Sequence, residues 1–467
     1  MKVFNTESRL KEEFIPSEEG QVRMYTCGPT VYNFAHIGNF RTYVFEDLLR
    51  RTLKFFGLKI TQVMNITDID DKTIKGAIEK NISLKQFTDP YTKAFFEDLQ
   101  TLSIEPVEFN PRATDYIPDM IVLIQKLLEE GIAYRGDDKS IYYSIDKFPS
   151  YGRLSHLHLG ELKRDKTINC DEYDKENISD FVLWKAYDPQ RDGNIFWESP
   201  LGPGRPGWHI ECSAMAMKLL GPTIDIHVGG VDNMFPHHEN EIAQSEGCTQ
   251  QRFVRYWMHA EHLLVDHKKM SKSLGNFYTL RDLLSKGFSG TEVRFLLLST
   301  HYRTQLNFTF QGLEAARHSL ERFADFIHRL RGIDQPHSFG LVEPLLKKCF
   351  HDFSEALGDD LNISVAMASL FDLVREINSL CDAGKISREE ASKVLYFLEQ
   401  CDRVLGVLPL KAKAEEISAD LIELLQKREA ARAAKNWKAA DECRDLLLKQ
   451  GYVIEDTPSG ARLKRKA

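Results

Sequence analysis

The apolar positions of this chain change period several times, and the changes mark out its elements. Residues 22–27 form a short β-like run that stops at Gly28-Pro29, a strong breaker pair. Residues 40–56 then place Val44, Leu48, Leu49, Leu53 and Phe56 on one side of a predicted helix, which Gly57 ends. Residues 58–65 read as a second strand. Strand, loop, helix, strand in that order is a βαβ unit, so the opening sheet is expected to be parallel. A second strand and helix occur far downstream, at residues 223–230 and 237–246. Between the halves lies an insertion, roughly 99–200, rich in turns and charges. Helical periodicity dominates from about Thr291, as in 310–330 and 341–357. The last segment predicts short helices at 421–435 and 439–450, a cap at Gly451, and then strand, turn, strand.

Composition adds bounds rather than elements. A chain of 467 residues exceeds one ordinary core, so several units are expected. With 42% apolar and 28% charged residues it reads as a globular protein. A net charge of -8 argues against indiscriminate nucleic-acid binding but leaves room for a local basic patch. Residues 411–467 supply one, with thirteen Lys/Arg against ten Asp/Glu. Residues 1–14 lack the apolar core of a signal peptide, and no run approaches the ~20 apolar residues of a membrane helix. No membrane partner and a cytoplasmic location are therefore expected. The eight cysteines then read as reduced thiols, and any special one needs a metal or catalytic reason.

Two stretches carry phosphate chemistry. Cys27-Gly28-Pro29-Thr30-Val31-Tyr32-Asn33 leads into His36-Ile37-Gly38-Asn39 where a strand gives way to a helix, the crevice in which parallel sheets bind ligands. Gly38 lets backbone approach a phosphate, the helix N-terminus favours negative charge, and His36 and Asn39 add hydrogen bonds. The plainer reading is a tight turn whose histidine caps a helix. Lys268-Lys269-Met270-Ser271-Lys272-Ser273-Leu274-Gly275-Asn276 is a donor-rich cationic loop suited to a triphosphate whose charge shifts during reaction. Its plainer reading is a solvated basic turn.

HIGN and KMSKS, in this order and separated by an insertion, resemble the two signatures of class I aminoacyl-tRNA synthetases. The resemblance implies an α/β fold: a Rossmann-type parallel-sheet catalytic domain split by an insertion, then an α-helical bundle and a small C-terminal α+β module. Boundaries are expected at 1–98 and 201–265 for the Rossmann halves and 99–200 for the insertion. The KMSKS loop and stem-contact region would span 266–330, the helical anticodon-side domain 331–408, and the basic anticodon-recognition module 411–467. By the same resemblance His36, Gly38 and Asn39 contact ATP phosphates, and Lys269 and Lys272 stabilise the transferring phosphate. The class more often ends its first motif in histidine, where this chain has Asn39.

Gly207-Trp208-His209-Ile210-Glu211-Cys212-Ser213 and the run from Gly229 to Glu241 resemble the cysteine-specific branch of that class. This resemblance implies a zinc ion, one per subunit, held by Cys27, Cys212, His237 and Glu241. Spacing alone does not establish such a set, because the cysteines are far apart and form no CxxC pair. His209, His227 and His238 are expected to support the site by hydrogen bonds rather than ligate. Zinc suits a substrate that differs from serine by sulfur for oxygen, a change an apolar pocket rejects weakly. The resemblance further implies Thr67 and Trp208 at the amino acid, Gly230 and Asp232 at the adenosine, and Arg432, Trp437, Asp441 and Asp456 near the anticodon. It covers essentially the whole chain.

The implied reaction is ATP-dependent activation of L-cysteine to its adenylate, with Mg²⁺ accompanying ATP, followed by transfer to the terminal adenosine 2′-hydroxyl of tRNA-Cys. A monomer is expected. One alternative is a cysteine ligase acting on an amino sugar, as in the mycothiol pathway, against which the basic tryptophan-containing terminal module argues. Another is a non-catalytic RNA-binding paralogue, which should have lost the reactive residues present here.

Overall fold

The computed structural model describes residues 1–157, 163–168, 177–271, 274–410, 419–457 and 460–465. The expected opening βαβ unit is present. Gln21–Thr26 runs parallel to Lys59–Met64, and the helix between them spans Ile37–Phe55. Val44, Leu48, Leu49 and Leu53 of that helix are buried, as their spacing requires. Phe56 is not: it is the C-cap residue, past the last turn that faces the sheet, and it is 39% exposed. Gly57 follows at φ +85°, a conformation glycine adopts without a Cβ penalty.

The downstream strands Ile224–Gly230 and Val254–Ala260 complete one four-stranded parallel sheet. Its spatial order is Val254–Ala260, Ile224–Gly230, Gln21–Thr26, Lys59–Met64. Chain order therefore reverses direction between Gln21–Thr26 and Ile224–Gly230. Crossovers leave that pair toward opposite sides, opening a crevice at its carboxyl end, the usual ligand position in such sheets. Cys27 and Gly230 stand at that point.

The insertion carries a five-stranded sheet whose last strand, Gly204–Pro206, falls a few residues past 200. Asp71, at the start of the Asp71–Lys80 helix, receives hydrogen bonds from Lys185 at 3.0 Å and from Arg205. Both cations are almost fully buried, so this carboxylate ties the insertion to the first half of the sheet.

After the lysine loop come the helices Leu280–Ser285 and Gly290–Leu298, then long helices at Phe310–Arg331, Val342–Gly358, Ile363–Asp382 and Arg388–Leu405. Arg294, fully buried, donates to Asp47 of the first helix and to the backbone carbonyls of Leu102 and Leu405. One guanidinium thus joins the opening unit, the start of the insertion and the end of the helical region.

Two compact units divide at Leu408/Pro409. The second holds helices Ala419–Ala433 and Trp437–Lys449 and the antiparallel hairpin Tyr452–Thr457 with Gly460–Arg465. Its small core is built on Leu421, Leu447 and Leu463. No described helix is long and apolar enough to cross a membrane.

Candidate active site

The crevice at the sheet's switch point opens into a cleft of ≈ 340 Å³, within the usual range for a small-molecule site. Cys27, His36, Gly38, Asn39, Trp208, Gly230, Asp232 and Lys269 all line it. The chain reaches it through a forced turn. A Cβ at Gly28 would lie 1.7 Å from the carbonyl oxygen of Asn65, so only glycine fits.

His36 is the N-cap of the Ile37–Phe55 helix. Its Nδ1 accepts from the Asn39 backbone N–H at 3.2 Å, and Asn39 Oδ1 accepts from the His36 N–H at 3.1 Å. This reciprocal box performs the capping role of the plainer reading and also fixes the ring: with Nδ1 accepting, the proton of the neutral imidazole sits on Nε2. A Cβ at Gly38 would come within 2.9 Å of that ring and 3.1 Å of the Met270 methyl, closing the gap between signature helix and lysine loop. Asn276 steadies the loop, accepting from the Ser271 N–H at 2.8 Å and donating to the Lys269 carbonyl at 3.2 Å. Lys272 lies outside the described residues. Asp232 is largely exposed at the cleft, with His262 Nδ1 3.4 Å from its carboxylate.

Thr67 sits behind the cleft wall. Its backbone bridges to Pro29 and Val31, and its hydroxyl accepts from Asn65 and donates to Glu211 at 3.1 Å. Trp208 stacks on His237 with ring centroids 4.1 Å apart.

Beneath the cleft lies a buried cluster. Donor atoms of Cys27, Cys212, His237 and Glu241 lie within 4.8 Å of one another. A second set, Cys27, His227, His238 and Glu241, meets the same limit and shares two members. His237 and Glu241 do not share one regular helix. Pro236 drives Phe235 extended, at φ -136° and ψ 133°, so His237 lies in a wide turn and the regular helix spans Glu239–Thr249. The two side chains nevertheless meet, with His237 Nε2 3.1 Å from Glu241 Oε1.

Burial works against charge in this cluster. It pushes the Cys27 thiol up, the Cys212 thiol well up, and the Glu241 carboxyl up to about 8. It pulls His227, His237 and His259 down to about 3. Burial thus disfavours the charged form of each group, and only a close partner for these donor atoms offsets that cost. Two sulfurs, an imidazole and a carboxylate suit zinc in donor type and number. The remaining histidines hold the frame. His209 Nδ1 lies 2.9 Å from His237 Nδ1, and His227 Nε2 lies 2.9 Å from Glu241 Oε2. His238 bridges Cys27 Sγ at 3.3 Å and His259 at 2.8 Å, and His259 reaches Thr6 at 2.8 Å.

Sequence reasoning missed Glu239 and Glu211. Glu239 is fully buried and accepts from the Gly152 N–H, the Ser155 N–H and the Ser155 hydroxyl at 2.8, 2.9 and 2.8 Å. Locally nothing separates it from Glu241: two residues apart on a helix, they point to roughly opposite sides, and only the tertiary partners assign them.

In the second unit, Trp437 is 61% exposed, Arg432 lies 4.0 Å from Glu429, and Asp441 pairs with Arg444 at 3.1 Å. Asp456 falls in the Tyr452–Thr457 strand, and its side chain lies outside the described residues.

Solved structures share this architecture at low identity. A Mycobacterium tuberculosis methionyl-tRNA synthetase bound by methionyl-adenylate aligns with TM-score 0.62 and 12% identity, over 87% of this chain and 94% of that one. A leucyl enzyme of Agrobacterium radiobacter, in a ternary complex with tRNA, aligns with TM-score 0.59 at 12% identity, over 84% and 85%. Residues 13–318 match the tRNA synthetases class I (C) catalytic domain, 352–409 the DALR domain, and 414–462 the cysteinyl-tRNA ligase anticodon binding domain. The cysteine–tRNA ligase of Protochlamydia amoebophila is 60% identical over 100% of this chain and 98% of its own length. That of Chlamydia pneumoniae is 58% identical over 99% and 97%. A class I catalytic match across most of the chain and this identity from end to end leave one conclusion: the chain belongs to the cysteine–tRNA ligase family of aminoacyl-tRNA synthetases.

Proposed function

We propose that this chain activates L-cysteine with ATP and transfers it to tRNA-Cys, with one zinc ion selecting the substrate by its sulfur. The observation that carries the reading is the buried cluster of Cys27, Cys212, His237 and Glu241 directly under a cleft lined by His36, Gly38, Asn39 and Lys269. Family membership supports the activity, and the donor set supports the metal. Zinc there supplies a soft Lewis acid that favours a substrate thiolate over a serine hydroxyl. Of the two overlapping sets, the one with two sulfurs is the softer and suits zinc better.

The cysteine carboxylate, ionised at neutral pH, attacks the ATP α-phosphorus and pyrophosphate leaves; no general base is needed. Positioning and charge stabilisation then carry the step. The Nε2–H of His36 and the amide of Asn39 donate to phosphate oxygens, Gly38 admits the phosphate to the helix N-terminus, and Lys269 with Lys272 neutralises the leaving group. Trp208 bounds the amino acid, with Thr67 backing the wall of its pocket; Gly230 and Asp232 face the adenosine, the acid on a ribose hydroxyl. Mg²⁺ arrives with ATP. The terminal 2′-hydroxyl of tRNA then attacks the acyl carbon and AMP departs. Residues 331–408 and 411–467 serve the anticodon side, with Arg432, Trp437, Asp441 and Asp456 reading it. The chain works as a cytoplasmic monomer.

The test is incorporation of labelled cysteine into acid-precipitable tRNA with a GCA or an altered anticodon. Charging of the GCA species alone is expected. Cysteine-dependent pyrophosphate exchange without charging of any tRNA would instead mark a small-molecule ligase.

A further inference from the structure

Along the segment entering the signature helix the side chains alternate. Val31 is buried, while Tyr32 and Phe34 are each 40% exposed. They are the two exposed phenyl or phenol rings among the described residues that line the cleft. Their positions are fixed by backbone. The Val31 N–H donates to Thr67 and the Thr67 N–H to Pro29, at 3.1 and 3.0 Å; the Tyr32 N–H turns back to Thr30 and the Phe34 N–H to the Asn33 side chain. The Phe34 ring also meets Tyr91 edge-on, with centroids 5.4 Å apart, so the two rings form a ledge on an ordered main chain.

Each ring carries a cation. Lys72 Nζ stands 5.4 Å from the Tyr32 centroid, and the Arg281 guanidinium 5.2 Å from that of Phe34. These cations come from separate elements, the Asp71–Lys80 helix and the Leu280–Ser285 helix that follows the lysine loop. Arg281 also reaches across to Glu97 at 2.8 Å and Asp98 at 3.2 Å, holding the loop's exit beside the ledge.

Partly exposed aromatic rings interleaved with cations are a kind of surface on which single-stranded nucleic acid docks, bases against the rings and phosphates near the cations. Resting on the activity proposed above, we infer that Tyr32 and Phe34 seat the single-stranded 3′ end of the tRNA at the cleft rim. The reaction itself requires a visitor there. The terminal adenosine must bring its hydroxyl to an acyl-adenylate that already fills the floor between signature helix and lysine loop. The rim is what remains, and stacking tolerates any base while the adenosine swings in.

Tyr32→Ala, Phe34→Ala and the double variant test this in the full chain, with Tyr32→Phe and Phe34→Tyr as conservative controls. Three readouts are needed: cysteine-dependent ATP–pyrophosphate exchange without tRNA, single-turnover transfer from preformed adenylate, and binding of tRNA lacking its 3′ CCA. Exchange is expected to stay within about twofold, while transfer falls roughly five- to hundredfold per ring, the usual cost of one lost base stack. The conservative variants should recover most of the transfer rate, and truncated tRNA should bind all variants alike. Unchanged transfer overturns the proposal. Exchange falling in step with transfer also overturns it and assigns the rings to the nucleotide; equal loss of truncated-tRNA binding overturns it in favour of a contact elsewhere on the tRNA. Failure of the parent activity looks different, because the unaltered chain would then charge no tRNA at all.

Discussion

Glu239→Gln probes whether the buried carboxylate between two proposed metal ligands holds the insertion in place. Its oxygens accept from three donors of one loop, Gly152 N–H, Ser155 N–H and Ser155 Oγ–H. Glutamine keeps one acceptor oxygen. Turned toward Ser155, it retains two of the bonds but sets its NH₂ against the Gly152 N–H, leaving a buried donor facing donors. An orphaned buried donor costs about 1–3 kcal/mol, and the two surviving bonds lose their charge assistance, adding ~1–2 kcal/mol. The neutral side chain is cheaper to bury, an offset consistent with burial raising the Glu239 pKa. The net expectation is a loss of about 2–3 kcal/mol.

The effect should be local as well as global. Tyr151 Oη also donates to Asn240 Oδ1 at 2.5 Å, so the 151–155 loop and the Glu239–Thr249 helix share one seam. Urea unfolding followed by tryptophan fluorescence measures the loss. Hydrogen exchange should show faster exchange at the Gly152 and Ser155 amides, and metal retention on dialysis should weaken because the helix start is released. A change below about 0.5 kcal/mol, the level of an ordinary surface substitution, with both amides protected as before, would refute the reasoning.

Cys212→Ser is expected to lower zinc content and cysteine affinity, read by metal analysis and equilibrium dialysis, with ATP binding kept because Cys212 does not line the cleft. Arg294→Met strands the Leu102 and Leu405 carbonyls and one bond of Asp47, which keeps Arg51 at 2.7 Å; a loss of about 3 kcal/mol, the low end for a broken buried pair, should appear in urea unfolding. Burial pushes the Asp98 carboxyl up to about 6 against the opposing pull of Arg281. The folded chain therefore keeps a proton that the unfolded chain loses near pH ~4, so this contribution is full below ~4 and is lost as pH rises from ~4 to ~6. Its slope is at most ~1.4 kcal/mol per pH unit, and Asp98→Asn should flatten that part of the stability profile.

Much of this was legible because local rules and tertiary structure agreed. The strand ending at Gly28-Pro29, the helix after it and the downstream strand all follow from period and breakers, and the parallel sheet follows from their order. The lysine loop and the HIGN motif were visible as chemistry. The cluster under the cleft was not: its members come from residues 27, 212, 237 and 241, and no spacing rule joins them without a known family. Glu239 and Arg294 were invisible for a related reason. Their partners lie 84 and 111 residues away at Ser155 and Leu405, and a buried carboxylate or guanidinium looks locally like any surface charge. The kink at Phe235 was implicit in Pro236, yet the i, i+4 spacing of His237 and Glu241 pointed to one regular helix.

The sheet order also sets a timetable for synthesis. Gln21–Thr26 gains its partner on one side as soon as Lys59–Met64 is made, but on the other side it waits for Ile224–Gly230. At ~5–20 residues per second that delay is roughly 8–33 seconds, during which an apolar strand edge stands unpaired on the nascent chain. The insertion is translated in that interval. The edge left waiting is the one beside Cys27, so the N-terminal half passes through its most aggregation-exposed period before His237 or Glu241 exists. A ribosome pause within the insertion would lengthen that exposure, whereas one after residue 260 would meet a closed sheet.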